Sequence, residues 1–329
     1  MTMHYRNLGR SGLKVSELGL GTNSFGKRAD RDASIRIVHR AIDRGINFID
    51  TANIYAGTAS ETIIGEALAG RRHEVVLATK AGLVFGPGPN DRGSSRYHLE
   101  RQLEESLKRL RTDYVDLYQI HTFDPSTPLE ETLRALDDMV RAGKVRYIGA
   151  SNYSAWELMK ALGLSDKLGL NRFVSTQVSY SLADRVPEQE LVPLSLDQGV
   201  GIIPYFPLAG GILTAKYDSA EAGAAPAGSR VHSDPGFARF LSEDRVAFGR
   251  EVGRIAREAG SSPGVLSLAW LLRRPAVATV IVGATREEQV DENLACVSLD
   301  PGEDAWLELD RISGRYRYGE PFAWYRLPE

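Results

Sequence analysis

Titratable side chains lie at or beside the ends of three short apolar segments of this sequence: Asp50, Lys80 and His121. Tyr55 follows Asp50 in the connecting segment. A tyrosine hydroxyl, with an ordinary pKa of about 10, is a weak acid at neutral pH unless a cation stabilises its phenolate. Lys80 could be that cation, Asp50 could hold the ammonium, and His121 could orient a carbonyl oxygen. Such a set would protonate an oxygen as negative charge develops on it, as in carbonyl reduction.

Eight apolar segments of this kind alternate with stretches of helical pattern along the 329 residues. Their β-branched and aliphatic residues alternate poorly with polar ones, which is typical of strands buried on both faces. Alternating strands and helices predict a parallel sheet with right-handed crossovers, and eight repeats without a break favour a closed (β/α)8 TIM barrel of the α/β class. The segments are residues 17–22, 46–52, 75–81, 114–121, 145–151, 173–180, 200–206 and 278–284.

The C-terminal ends of the strands carry the active site in such a barrel. Asp50, Lys80 and His121 follow neighbouring strands, and Tyr55 can fold back over the same mouth. Taken singly, each has an ordinary interpretation as a cap, a surface lysine, a packed histidine or a loop aromatic residue. The hypothesis therefore depends on their convergence. A polar residue or a glycine ends every predicted strand: Gly21 and Thr22, Asp50, Lys80, His121, Ser151 and Asn152, Gln177, Tyr205, and Gly283 with Thr285.

Four motifs of the chain resemble the aldo-keto reductase family, which reduces aldehydes and ketones with NADPH on a (β/α)8 barrel. The resemblance extends from about Tyr5 to Asn293, and its implied site is the Asp50, Tyr55, Lys80 and His121 tetrad. It implies that Tyr55 is the general acid, assisted by Lys80 and Asp50, and that His121 orients the carbonyl. The motifs are RGINFIDTANIYAGTASETIIGEAL, VVLATKAG, DLYQIH and GKVRYIGASN.

No GxGxxG fingerprint for a dinucleotide is present, so the barrel loops must bind the cofactor. Ser151, Asn152 and Gln177 could hydrogen-bond a carboxamide, and Tyr205 could stack on a nicotinamide ring. Gly21, Thr22 and Asp50 are predicted to line the same site. The resemblance adds three groups of cofactor residues. The segment along the pyrophosphate contains Phe206, Pro207, Leu208, Gly210 and Lys216, and Arg230 lies beyond it. The motif on the adenosine side contains Gly283, Thr285, Gln289, Glu292 and Asn293.

Residues 285–288 are predicted to form a capping box that opens the helix after the eighth strand, where free N–H groups would favour a phosphate. Arg286 and Arg230 could meet a 2′-phosphate, which leads us to expect NADP(H) rather than NAD. The alternative is that both arginines are solvated loop charges.

Two known sequence motifs are nearly matched, but each lacks one required residue. Residues 21–28, GTNSFGKR, almost spell a P-loop, but Arg28 stands where a Mg²⁺-binding hydroxyl is needed. GASNY lacks the final glycine of a hydrolase elbow. The histidines show no i, i+4 pair and Cys296 is the single cysteine, so no metal site is expected.

The composition of the chain limits which partners and which cellular location can be expected. The chain has 40 Lys and Arg against 43 Asp and Glu, a net charge of −3, which argues against nucleic acid as a partner. No run approaches the roughly 18 apolar residues of a membrane helix, and the N-terminal residues do not form a signal peptide. We therefore expect a cytoplasmic protein acting on a small aldehyde or ketone, with no membrane partner. The oligomeric state stays open.

Three segments lie outside the repeat: an opening hairpin at 3–15, a Gly-, Ala- and Pro-rich loop at 208–230, and a tail beyond Asp300 with one more helix. They account for most of the roughly 80 residues beyond the about 250 of a typical barrel. We expect the loop and tail beside the mouth and, by the resemblance, the hairpin at the other end. Residues 1–329 are expected to form one domain.

Two alternatives come from other functional classes. A non-catalytic NADP-binding regulatory subunit, similar to channel β subunits, would share the barrel and the cofactor segments. Those subunits carry asparagine where His121 stands here, so the histidine favours an enzyme. A weaker alternative is a barrel hydrolase or lyase that uses Asp50 and Lys80.

Overall fold

The computed structural model describes residues 3–328. The chain opens with the predicted antiparallel hairpin, in which β1 (Tyr5–Asn7) pairs with β2 (Lys14–Ser16). Leu8 and Val15 are buried against side chains from the beginnings of the barrel strands. The hairpin therefore covers the N-terminal end of the barrel, as expected.

The eight predicted segments all form parallel strands that pair in one sheet. The first and last strands in sequence are neighbours, and the sheet is nearly closed by a single bridge between Ile202 and Val277. The (β/α)8 prediction is confirmed. The barrel strands are β3 (Leu18–Gly21), β4 (Phe48–Asp50), β5 (Val76–Ala81), β6 (Val115–Ile120), β7 (Val145–Ser151), β8 (Phe173–Ser179), β9 (Gly201–Tyr205) and β10 (Val280–Gly283).

Helices surround the strands and bury one face each. In the fourth helix, for example, Leu133, Leu136 and Met139 are buried against the sheet, whereas Glu130 and Arg134 pair on the exposed side. Within residues 3–328 no helix is long and apolar enough to cross a membrane. The helices are α1 (Arg31–Asp43), α2 (Ala59–Ala67), α3 (Arg96–Leu110), α4 (Leu129–Arg141), α5 (Ala155–Leu168), α6 (Leu191–Gln198), α7 (Arg230–Ser233), α8 (Glu243–Glu258), α9 (Pro263–Leu272), α10 (Glu288–Leu294) and α11 (Glu303–Ser313).

The two remaining extra segments lie at the C-terminal mouth. The loop between β9 and α7 forms short 3-10 turns at Ala209–Thr214 and Ala222–Ala224. After α11 the tail crosses the mouth, where the hydroxyl groups of Tyr205 and Thr122 donate to the carbonyl oxygens of Ala323 and Tyr325, at 2.9 and 2.7 Å. The expected positions of the loop and the tail are thus both found.

Candidate active site

A buried ion pair joins the ends of β4 and β5. The ammonium of Lys80 donates to Oδ1 of Asp50 at 2.5 Å and to the carbonyl oxygen of Thr51 at 2.8 Å. Both side chains are almost completely buried. Removing either partner would leave an uncompensated charge in the protein interior, which is strongly unfavourable.

Two glutamine side chains fix the other oxygen of this carboxylate. Oδ2 of Asp50 accepts from the amide nitrogens of Gln119, at 3.1 Å, and Gln177, at 2.9 Å. Gln119 was not predicted as a site residue. The available indication was a fully polar amide inside the apolar run of β6, two residues before His121. The carboxylate is therefore held from several sides, and the ammonium is held with it.

Tyr55 lies in the loop that follows β4, directly before a left-handed turn at Ala56 and Thr58, with φ of 51° and 82°. Its hydroxyl oxygen accepts from the ammonium of Lys80 at 3.3 Å. The ring of His121 meets the Tyr55 ring edge-on, with 5.9 Å between the centroids. The structure thus brings all four predicted catalytic residues together.

The surroundings set the protonation state of each group. Burial raises the pKa of Tyr55, although the charge of Lys80 opposes this effect. Burial has the largest single effect on Lys80 and lowers its pKa, but the charges of Asp50 and Tyr55 and the hydrogen bonds to both together outweigh it, so the pKa lies above its usual value. Burial and the charge of Lys80 hold the pKa of His121 well below its usual range. At neutral pH the site therefore contains a protonated tyrosine, an ammonium and a neutral imidazole.

A cleft of about 560 Å³ opens above these residues. Tyr55, His121 and Asp50 line it, whereas Lys80 lies beneath its floor. Nearly all of the predicted cofactor residues also line this cleft: Gly21, Thr22, Asp50, Ser151, Asn152, Gln177, Tyr205, Phe206, Pro207, Leu208, Gly210, Lys216, Arg230, Gly283, Thr285, Gln289, Glu292 and Asn293.

The model of the Aldo/keto reductase family matches residues 17–313. This chain belongs to the aldo/keto reductase family. Its membership supports a general oxidoreductase function on small-molecule carbonyl substrates, and the family generally uses a nicotinamide cofactor.

Similar relatives have different names. An "uncharacterized oxidoreductase YrpG" of Bacillus subtilis is 39% identical over 94% of this chain and 96% of the relative. A "probable voltage-gated potassium channel subunit beta" of Arabidopsis thaliana is 40% identical over 91% and 92%. An "L-glyceraldehyde 3-phosphate reductase" of Escherichia coli O157:H7 is 36% identical over 90% and 88%.

Polar groups at one side of the cleft of this aldo/keto reductase hold one another in place. Asn152, with a left-handed φ of 55°, donates to the carbonyl oxygen of His121 at 2.9 Å. Its Oδ1 lies 2.8 Å from the hydroxyl oxygen of Tyr205 and shares the hydroxyl proton with the carbonyl oxygen of Ala323. The Ser151 hydroxyl donates to the carbonyl oxygen of Gln177 at 3.0 Å. An aromatic ring with polar neighbours is thereby held beside the tetrad, which fits an amide-bearing ring such as a nicotinamide.

Arg286 is the predicted cofactor residue that the structure places outside the lining of the cleft. Its guanidinium is half exposed and pairs with Glu292 at 2.9 Å. The predicted capping box is wrong, because the side chain of Gln289 accepts from the backbone N–H of Thr285 at 2.7 Å. The chain turns there, and α10 begins only at Glu288, without a side-chain cap.

Several lining residues were not predicted. Lys27 and Arg28 come from the loop after β3, and Tyr325 comes from the tail. The basic pair was visible in the sequence as the end of the incomplete P-loop motif. Tyr325 could not be placed, because hydrogen bonds between distant segments bring the tail to the mouth. In the part of the chain that the structure describes, no group of three or more His, Cys, Asp or Glu could hold a metal ion.

Proposed function

We propose that this chain is an NADPH-dependent reductase of an aldehyde or ketone, with Tyr55 as its general acid. The observation that carries the proposal is the contact of the buried Lys80 ammonium with both the Asp50 carboxylate and the Tyr55 hydroxyl. That contact gives a hydroxyl the cationic neighbour it needs to release a proton. The family's activity on carbonyl compounds supports the same assignment.

The roles of the side chains follow from their positions. His121, neutral and beside Tyr55, orients the carbonyl oxygen of the substrate. Tyr55 transfers its hydroxyl proton to that oxygen, and Lys80 stabilises the phenolate that results. Asp50 keeps the ammonium in place throughout. A bound dihydronicotinamide supplies the hydride for the carbonyl carbon.

Different residues along the cleft would hold different parts of this cofactor. Tyr205 and the polar groups beside it would hold the nicotinamide end, and Lys216 and Arg230 would meet the phosphates. The expectation of NADPH rather than NADH rests more on Arg230 than on Arg286, since Arg286 is already paired with an acid. Gln289 and Asn293 lie where the adenosine end would be.

The Tyr55→Phe variant tests the assignment of the general acid. We expect kcat for carbonyl reduction, followed by loss of NADPH absorbance, to fall by about 10²- to 10⁴-fold, since the proton donor is gone. The Kd for NADPH, measured by fluorescence titration, should stay within about twofold because the ring remains. The same titration with NADH measures the preference for the 2′-phosphate.

The control for this experiment is Tyr97→Phe, which removes the hydroxyl of an exposed tyrosine on α3. It should reduce carbonyls at the wild-type rate. Wild-type turnover in Tyr55→Phe would contradict the assignment.

The relatives named as potassium channel β subunits make a non-catalytic, NADP-binding role the second candidate. The intact tetrad favours the enzyme, since a regulatory protein has no need of a proton donor beside a buried ammonium. The wild-type protein decides between the two. Tight binding of NADPH without its oxidation by any of a broad panel of carbonyl compounds would favour the regulatory role.

A further inference from the structure

Residues 23–28 of the incomplete P-loop segment have no role in the reaction described above, yet Lys27 and Arg28 line the cleft. The segment is rigid. The carbonyl oxygen of Ser24 accepts from the backbone N–H groups of Lys27, Arg28 and Ala29, at 3.2, 2.9 and 3.1 Å. The Ser24 hydroxyl also donates to the carbonyl oxygen of Ala284 at 3.0 Å. Arg28 is therefore presented from a fixed turn rather than from a free loop.

Arg28 belongs to a cluster of positive charge with Lys216 and Arg230. Desolvation lowers the pKa of both Lys216 and Arg230, and the charge of Arg28 lowers each of them further. The Arg230 guanidinium stacks on the rings of Phe237 and Phe206, with 4.1 and 5.2 Å to the centroids, so its position is set by apolar contacts. Three positive groups thus share one part of the cleft.

This cluster lacks an acidic partner within residues 3–328. Among the described residues, the acceptor that the guanidinium of Arg28 reaches is the carbonyl oxygen of Gly228, at 3.5 Å, which is too long to satisfy it. Asp234 is near enough to favour the charged form of both arginines, but it forms no ion pair with either. The acids that line the cleft are engaged elsewhere, Asp50 with Lys80 and Glu292 with Arg286.

Clustered like charges destabilise the free protein, so the arrangement indicates a ligand with more than one negative charge. A planar guanidinium can bind two phosphate oxygens at once, which makes arginine well suited to a diphosphate. We propose that Arg28, together with Lys216, binds the diphosphate of the nicotinamide dinucleotide, while Arg230 beside them meets the 2′-phosphate of NADPH. This inference rests on the proposed function. It adds a cofactor contact from the β3–α1 loop, beyond Thr22, that is not among the cofactor contacts predicted above.

Bound in this way, the diphosphate would join two walls of the cleft. Arg28 belongs to the loop after β3, whereas Lys216 belongs to the loop between β9 and α7. The cofactor would then leave only after the Arg28 contact is broken. Loss of Arg28 should therefore increase the dissociation rate of the cofactor more than it decreases the association rate.

The experiment compares Arg28→Ala with Arg28→Lys in the full chain, measuring Kd for NADPH and for NADH by fluorescence titration. We expect Arg28→Ala to weaken both cofactors equally, by about 10- to 100-fold, because both carry the same diphosphate. Arg28→Lys should lie in between, since it keeps the charge but loses the two-pronged contact. The matched control is Arg10→Ala, which removes the same charge from an exposed residue of the hairpin and should leave both Kd values within about twofold.

The outcomes are distinct. A loss confined to NADPH would place Arg28 at the 2′-phosphate, and unchanged Kd values would remove it from the site; either result overturns the inference while leaving the proposed function intact. A wild-type protein that binds neither cofactor would overturn both. Thermal unfolding of each variant separates a local loss of affinity from misfolding, and Arg28→Lys, which keeps the charge, decides the question if Arg28→Ala does not fold.

Discussion

At the scale of single residues, the reactivity of Tyr55 is set by its neighbours. Burial alone would make its hydroxyl a still weaker acid than free tyrosine, and the ammonium of Lys80 is the group that opposes this effect. The same ammonium would be unfavourable in a buried position without Asp50. Each buried charge in the site is therefore stabilised by an opposite charge, and Tyr55 can transfer its hydroxyl proton to the oxygen of a substrate.

His121 provides a prediction about pH. Its pKa lies well below the usual value because it is buried and adjacent to a positive charge, so the ring should stay neutral from pH 6 to 8. Replacing it with glutamine should lower kcat/KM for carbonyl reduction without changing the shape of the pH profile in that range. The measurement is kcat/KM against pH for both proteins. An inflection near pH 6.5 that disappears in His121→Gln would contradict the neutral assignment.

At the scale of elements, the tail after α11 is held at the mouth by a buried carboxyl. Oδ2 of Asp184 accepts from the Phe322 backbone N–H at 2.8 Å and from the Ser179 hydroxyl at 2.5 Å. Burial nevertheless raises the pKa of Asp184 to about 6. The charged carboxylate is therefore less stable in the folded chain than in the unfolded one.

The sign of the effect on stability follows. Between the unfolded pKa of about 4 and the folded value, the native state binds more protons, so the contribution of Asp184 to stability is lost as pH rises. Asp184→Asn does not titrate. Its free energy of unfolding relative to wild type should therefore increase by about 2 kcal/mol between pH 4.5 and pH 7.

Urea unfolding of both proteins at the two pH values measures this difference. The exposed Asp113, replaced by asparagine, is the control and should show no comparable change. A relative stability of Asp184→Asn that does not depend on pH would show that the buried carboxyl does not titrate in this range.

Much of the barrel could be predicted because its strands are short, apolar and repeated, and each of the eight barrel strands lies inside a predicted segment. The tetrad could be predicted for a related reason, since a residue after a parallel strand has a known location at the mouth. The start of α10 could not be predicted, because the backbone N–H of Thr285 donates to the side chain of Gln289 instead of to a capping residue. The direction in which Arg28 points could not be predicted either. It depends on a turn that is held by the hydrogen bond from the Ser24 hydroxyl to Ala284, a residue distant in sequence.

At the scale of the whole molecule, the hairpin and the tail cover opposite ends of one barrel. At the hairpin end, Gly9 has a left-handed φ of 59°, and a Cβ there would overlap the carbonyl oxygens of Val174 and Gly199. Val174 lies at the beginning of β8, and Gly199 caps α6 just before β9. The next nearest atom, the backbone nitrogen of Gly201 at 2.9 Å, is also part of the main chain and cannot move aside as a flexible side chain would.

Gly9→Ala should therefore destabilise the barrel by about 2–4 kcal/mol, combining the strain of a left-handed alanine with overpacking. Gly12→Ala, in the same hairpin, is the matched control because open space surrounds that position, and it should change stability little. Chemical unfolding measures both. Affinity for NADPH should be unchanged in the folded fraction of each variant, and a Gly9→Ala protein as stable as Gly12→Ala would show that the hairpin is not held tightly.

The opposite placement of hairpin and tail also governs how the protein should be attached to a surface or a fusion partner. An affinity tag joined ahead of the hairpin would extend from the closed end of the barrel, away from the cofactor. A tag joined after the tail would continue from residues adjoining Tyr325, which lines the cleft itself. Immobilisation through the N-terminal side therefore leaves the mouth facing the solution, and titrations made in that orientation sample the cleft without obstruction.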